Sequence, residues 1–205
     1  MNFKFSDYAM GAGVATDLVN TSPVVQRSAG EVLVDPYALT EFLTEHDLHP
    51  SAAEGGQQPT AADLEEVYGL RQELRSLLET DTEEALGRAA NALVARAGAG
   101  PFLERDGTGQ WEWCVTTTPH ASLADELAVL IGMGLLGVLR TLSFSRIRHC
   151  AAPECSGMFV DTSKAGRRRY CMPELCGNRR NVANYRARRQ AEAEARAARG
   201  TGRAR

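Results

Sequence analysis

Four of the five cysteines lie within 27 residues towards the C-terminal end of the chain, and their spacing constrains the fold more than any other feature. They form two C-x4-C pairs separated by fifteen residues: Cys150, Cys155, Cys171 and Cys176. Thiols paired across short loops, here with Pro153 and Pro173 inside them, can converge on one tetrahedral ion. Because about 27 residues cannot bury a core of their own, a metal would replace it. The spacing therefore predicts one structural Zn²⁺ held by the four cysteines.

Two other interpretations of the cysteines stay open at this stage, namely two disulfides or four unrelated thiols. Disulfides are typical of oxidising compartments. The first residues lack the pattern of a secretory signal, since Lys4 is followed by Asp7 and a weakly apolar stretch, so we expect a reducing cytoplasm. His149 is an alternative ligand beside Cys150. Four thiolates would leave no open position for a catalytic metal.

The charge of the chain is divided between two segments. Residues 1–139 hold 7 Lys and Arg against 21 Asp and Glu, a net charge of −14, and residues 140–205 hold 16 against 5, a net charge of +11. A basic segment attached to an acidic one is typical of proteins that bind a polyanion. Four thiolates around Zn²⁺ subtract two charges and leave about +9. The charge pattern therefore indicates nucleic acid as the partner.

The residues that follow Cys176 predict a basic helix. No acidic residue occurs between Glu174 and Glu192, whereas a helix that is merely soluble usually mixes charges of both signs. Arginine and asparagine make phosphate contacts and base-edge contacts in DNA grooves. The candidate nucleic-acid-binding residues of the predicted finger and helix are Arg167, Arg168, Arg169, Asn178, Arg179, Arg180, Arg186 and Arg189. We expect Val182 and Tyr185 to form the helix face that docks on the finger.

The first part of the chain predicts an acidic, mainly helical domain. Helical spacing of apolar residues follows the N-cap pair Asp35-Pro36, resumes at Leu64, and resumes again after a predicted capping box formed by Thr80 and Glu83. The stretch before residue 22 predicts only a turn and a short extended piece, with Asp17 and Asn20 in capping or turn positions. The alternative for these two residues is that they line a ligand pocket.

Two further elements complete this domain. Short apolar runs at 102–104 and 111–116 flank turn residues and predict a β-hairpin, which would bury Cys114. Residues 119–142 predict a core helix that contains a 13-residue apolar run, too short to cross a bilayer, so we expect no membrane partner. The sequence G-x-G-x-x-G at 132–137 lies inside this run, so it favours close helix packing over nucleotide binding.

Together these patterns predict an α+β fold that is mainly α. A helical N-terminal domain with a β-hairpin would span residues 1–143, a treble-clef-like zinc finger with a basic helix would span 144–195, and 196–205 would be a frayed tail. Within the finger we expect a strand at 158–160, a turn, a return strand at 167–170 and a helix that begins near Cys176.

The finger sequence closely resembles the CGNR zinc-finger family at residues 170–179, together with the preceding Cys150-x4-Cys155 pair and residues 159–163. The family is named for the residues that stand here at 176–179. Asp17–Thr21 resembles a motif of the N-terminal, ABATE-type domain that these bacterial proteins carry. The family is described as stress-induced transcription regulators. The resemblance implies that the four cysteines bind the metal and that Asn178 and Arg179 belong to, or support, the nucleic-acid face.

The leading hypothesis is therefore a DNA-binding transcription regulator with duplex DNA as its partner. An RNA-binding or ribosome-associated protein, a protein-interaction module, and a solvated basic helix without a ligand are the alternatives. A homodimer and a small-molecule effector of the N-terminal domain are further expected partners. We do not expect an enzyme, because the sequence shows no nucleophile–base pair, open metal site or phosphate loop.

Overall fold

The computed structural model has an α+β fold that is mainly α, as predicted, and consists of a body followed by a finger. It describes residues 2–50, 57–178, 180, 182, 185, 188–190 and 192. The body comprises β1 (Asn2–Lys4), α1 (Tyr8–Asn20), α2 (Pro36–Glu45), α3 (Ala61–Leu78), α4 (Glu83–Ala97), β2 (Gly98–Arg105), β3 (Trp111–Thr117) and α5 (Leu123–Thr141). The finger comprises β4 (Ile147–His149), β5 (Met158–Val160) and a C-terminal helix that begins at residue 173. The predicted tail at 196–205 lies outside the described residues.

Helix α5 lies at the centre of the body. Its apolar run is buried along most of its length, and α1, α3 and α4 pack around it. The side chain of Ser122 accepts a hydrogen bond from the backbone N–H of Asp125 and so caps the helix. The predicted core helix is therefore confirmed, although it begins at Leu123 rather than at Pro119.

Two glycines allow α1 and α5 to touch backbone to backbone. A Cβ atom added at Gly134 would lie 2.5 Å from the backbone nitrogen of Ala12, and one added at Gly11 would lie 2.3 Å from the carbonyl oxygen of Leu130. The G-x-G-x-x-G sequence of α5 thus serves close helix packing, as the sequence indicated.

Helix α1 is the element that sequence analysis missed. It has two internal glycines and no side-chain cap, so its intrinsic helix propensity is weak. It is stabilised instead by burial, because Ala12, Val14 and Leu18 are fully enclosed by the core. The expectation of a turn at Asp17 and Asn20 is therefore wrong, since both lie on this helix.

The helix starts are partly as predicted. Asp35 caps α2 by accepting a hydrogen bond from Ala38 N at 2.8 Å. The predicted capping box of Thr80 and Glu83 is wrong, because Thr82 caps α4 alone. A capping box does occur at the start of α3, where its residues are Thr60 and Asp63.

The predicted hairpin is confirmed and forms part of an antiparallel sheet with the strand order β1-β3-β2. Phe3 pairs with Val115, and both side chains are buried against the helices. Cys114 is buried as expected. Strand β2 lies at the edge of this sheet.

Strand β5 joins the finger to the body. Alternate side chains of a strand point to opposite faces, and here Met158 and Val160 enter the core of the body while Phe159 packs among the cysteines. The partner strand is β4, so the prediction that 167–170 pairs with 158–160 is wrong. The C-terminal helix also begins earlier than predicted, at residue 173.

Within the described residues, no helix combines the length and the apolar character that a membrane crossing requires.

We expect Gly134→Ala to destabilise the protein by about 1–3 kcal/mol, because the added methyl group would collide with the backbone of α1. Urea unfolding followed by circular dichroism measures this loss. Gly13→Ala is the matched control, since its Cβ would meet nothing within 4 Å and should raise helix propensity by up to about 1 kcal/mol. Equal midpoints for the two variants would contradict the packing argument.

Candidate metal centre

The four predicted ligands converge on one point. All four sulfur atoms lie within 4.8 Å of one another. The distances from Cys155 Sγ to Cys171 Sγ and Cys176 Sγ are 3.6 and 3.7 Å, and Cys171 Sγ and Cys176 Sγ are 3.7 Å apart. Thiolates bonded tetrahedrally to one ion at about 2.3 Å would lie about 3.8 Å apart. The separations match a metal site and exclude the disulfide alternative, which requires about 2.05 Å.

Each cysteine pair sits in a turn that hydrogen bonds hold in shape. In the first pair, Cys150 N donates to Gly157 O at 2.8 Å and Cys155 N donates to Ala152 O at 3.2 Å, which closes the loop between β4 and β5. In the second pair, Cys171 lies two residues before the C-terminal helix, and Cys176 N donates to Met172 O at 2.8 Å in the first turn of that helix. The site is therefore built between a hairpin and the start of a helix.

The ionised form of this cysteine cluster needs a cation to balance its negative charge. Burial raises the pKa of Cys176 to about 11, and burial together with the neighbouring thiols also raises the pKa of Cys171. Burial also opposes ionisation of Cys150, but backbone hydrogen bonds from Ala152 and Cys171 bring the pKa of its thiol below the usual value. Four thiolates this close together would repel one another strongly without a positive ion among them. The donor set fits a metal that favours sulfur ligands.

Gly157 leaves room for the site. A Cβ atom at this position would lie 2.4 Å from Cys171 Sγ and 2.8 Å from Asn20 Oδ1. Its backbone N–H also donates to Cys155 Sγ at 3.4 Å. A side chain here would displace a ligand, so glycine is required.

The body completes the finger through α1. The Asn20 side chain donates to Met158 O at 2.6 Å and accepts from Met158 N at 3.1 Å, while Thr16 Oγ1 accepts from Val160 N at 3.0 Å. These residues satisfy the edge of β5 that does not pair with β4. We name this set of contacts the Asn20 clamp.

Two further side chains of the body bond to the finger. The Arg75 guanidinium on α3 donates to Ser156 O in the first cysteine loop. Gln26 donates from Nε2 to Met172 Sδ at 3.1 Å, next to Cys171. Both cysteine loops are therefore attached to the body.

Asp161 organises the loop that carries the predicted basic patch. Its buried carboxylate accepts hydrogen bonds from Ser163 N and Arg168 N, both at 3.0 Å, and pairs with Arg148 at 3.3 Å. Burial opposes ionisation, but these bonds keep the pKa of Asp161 below its usual value. Arg146 also donates to Ser163 O at 2.8 Å. The loop is thus fixed from within.

The predicted nucleic-acid-binding residues divide into internal and external ones. The Arg168 side chain donates to the carbonyls of Tyr170 and Cys171 and stacks on Phe159, and Arg180 donates to Ala151 O at 3.2 Å. Both arginines therefore support the finger. The exposed candidates are Arg167, Arg169, Asn178 and Arg189. Arg179 and Arg186 lie outside the described residues.

Sequence reasoning missed several residues of the site and misplaced two. Asn20, Thr16 and Arg75 are distant in sequence from the cysteines, and only the fold brings them to β5. Val182 and Tyr185 were expected to dock on the finger, yet 48% and 62% of their surfaces are exposed. That expectation is wrong. His149 is exposed and stands outside the sulfur cluster found among the described residues.

Comparison with known protein families gives two matches that divide the chain near the start of the finger. Residues 12–141 match the family described as "Putative stress-induced transcription regulator", named ABATE, and residues 146–189 match the CGNR zinc finger. A search of curated proteins finds no match. Because the first match spans more than half of the 205 residues, the chain belongs to the ABATE family of putative stress-induced transcription regulators and carries a CGNR zinc finger.

Proposed function

We propose that this protein is a DNA-binding transcription regulator of the cytoplasm, without enzymatic activity, in which one structural Zn²⁺ holds a basic surface against duplex DNA. The observation that carries the proposal is that the finger combines a cluster of four cysteines suited to a metal ion with exposed arginines. Arg167 and Arg169 project from a loop whose backbone is held by the buried Asp161. Cations on a rigid frame can contact phosphates without a large ordering cost.

The charge balance of the finger supports a polyanion as its ligand. Between Ile147 and Gln190 the acidic residues are Glu154, Asp161 and Glu174, and of these Asp161 is buried and paired with Arg148. The exposed cations of this stretch therefore have little local neutralisation. Nucleic acid would supply the opposite charge and release counterions on binding.

Zinc is the metal that fits the site best. Four cysteines at tetrahedral spacing suit Zn²⁺ and close its coordination sphere, so the ion would have a structural role. A metal that bridges both cysteine loops would hold the β4–β5 hairpin and the C-terminal helix together. Through the Asn20 clamp, the same ion would also stabilise the body.

We expect the purified protein to contain one zinc ion per chain, measured by elemental analysis. Cys171→Ser should lose that ion and lower the thermal midpoint, because structural zinc contributes about 10–16 kcal/mol in isolated zinc fingers. Cys114→Ala is the matched control, since Cys114 lies in the β2–β3 hairpin of the body and is not part of the cysteine cluster. Protein without stoichiometric metal, or equal metal loss in both variants, would refute the assignment.

We expect Arg167→Ala combined with Arg169→Ala to weaken binding to a fluorescent duplex. Loss of two phosphate contacts should reduce the slope of log affinity against log salt by about 1.8. Fluorescence anisotropy at several salt concentrations measures both quantities.

The matched control removes two exposed arginines of the body, Arg27 and Arg88, and should leave the slope unchanged. Competition with structured RNA separates the DNA proposal from the RNA alternative. The proposal would be refuted if the unaltered protein, at micromolar concentration and low salt, left the anisotropy of the duplex unchanged.

We expect Asn20→Ala to destabilise the protein by about 2–4 kcal/mol, because it leaves the buried N–H and C=O groups of Met158 without partners. Chelator competition should also extract zinc from this variant faster than from the unaltered chain. Asn91→Ala is the control, since this exposed asparagine donates to Gly87 O on its own helix and bonds to no finger residue among those the structure describes. Indistinguishable zinc release from the two variants would show that the clamp does not support the metal site.

A further inference from the structure

The β2–β3 hairpin presents an apolar surface that the proposed DNA contact does not use. Leu103, Trp111 and Trp113 point to the same face of the sheet, because Leu103 pairs with Trp113 and alternate residues of a strand share a face. Their exposed fractions are 47%, 61% and 53%. Arg105 stacks on Trp111 with its guanidinium carbon 4.4 Å from the ring centroid. We name this surface the tryptophan face.

An open strand edge borders the tryptophan face. Strand β2 pairs with β3 on one side and has no strand on its other side among the described residues. Asp106 N donates to Gln110 O, so these two residues form a hydrogen-bonded pair. Along an antiparallel ladder such pairs alternate with pairs that are not hydrogen-bonded. The backbone N–H and C=O groups of Glu104 therefore point towards β3, whereas those of Leu103 and Arg105 point away from β3 to the open edge. Pro101 removes one donor from this edge but leaves those of Leu103 and Arg105 available.

We propose that a second copy of this chain docks here, by antiparallel pairing of β2 with β2 about a two-fold axis at Leu103. This register brings the two Leu103 side chains together and places Trp113 of each copy beside them. A register centred on Glu104 would set two carboxylates opposite each other, which is unfavourable. The pairing extends each three-stranded sheet into one continuous sheet of six strands.

The size of the surface indicates a reversible dimer. The two tryptophans and Leu103 expose roughly 300 Å² of apolar surface per copy, against about 800 Å² per partner in a typical stable interface. Backbone pairing along β2 adds to this area. The dimer therefore belongs to the small, weak class, with a dissociation constant in the micromolar range. It goes beyond the proposed function and does not depend on it.

Sedimentation velocity of the full, metal-loaded chain without nucleic acid tests the dimer across about two decades of micromolar concentration. The sedimentation coefficient of the unaltered protein should rise with concentration. Both tryptophans of the chain lie on the tryptophan face, so dilution should also shift their emission to longer wavelength.

Leu103→Lys should raise the dissociation constant at least tenfold, since it places two cations at the axis. Trp113→Gln tests the same face without a change of charge and should weaken the dimer as well. Tyr37→Lys, at an exposed aromatic residue of α2, is the control and should dimerise as the unaltered chain does. A constant sedimentation coefficient, dimers that persist in both face variants, or equal loss in the control would overturn the proposal. None of these outcomes depends on whether the finger binds DNA.

Discussion

The structure depends on four sulfur atoms brought within 4.8 Å of one another in a largely buried place. Thiolates cannot share so small a volume unless a cation offsets their repulsion, and neutral thiols would make only weak contacts there. Little apolar packing holds the β4–β5 hairpin against the C-terminal helix. Apart from the cysteines, the buried residues of the finger's own apolar cluster are Ala152 and Phe159. That convergence therefore sets how the β4–β5 hairpin and the start of the C-terminal helix lie relative to each other.

The described arginines around Asp161 divide into a group that faces the interior and a group that faces solvent. Arg148 and Arg168 face the interior, where Asp161 and several backbone oxygens accept their hydrogen bonds. Arg167 and Arg169 lie on either side of Arg168 and face solvent. The alternation along three consecutive arginines means that total charge overstates the surface available to a polyanion. It also means that the internal arginines set the shape on which the external ones are displayed.

Local patterns predicted the elements whose causes are local. The ligand spacing, the hairpin turn and the apolar run of α5 each depend on residues close in sequence, and each was found as expected. Helix α1 was missed because its stability comes from α5 and β5, with which it makes long-range contacts. The partner of β5 was mistaken for the same reason: strand 167–170 was the plausible neighbour in sequence, but Asp161 holds that segment as a loop. Side chains such as Arg75 enter the site only through the tertiary fold.

The motif at Asp17–Thr21 illustrates how one short segment serves both parts of the molecule. Leu18 and Val19 enter the core of the body, whereas Asn20 bonds to both backbone groups of Met158 in the finger. Thr21 accepts a hydrogen bond from Arg71 at 3.0 Å, and Arg71 in turn pairs with Glu31. A rotation of α1 about its axis would therefore disturb the core, the strand β5 and the Arg71 pair together. Because β5 lies between the two cysteine pairs in sequence, the orientation of α1 also determines where the metal centre sits on the body.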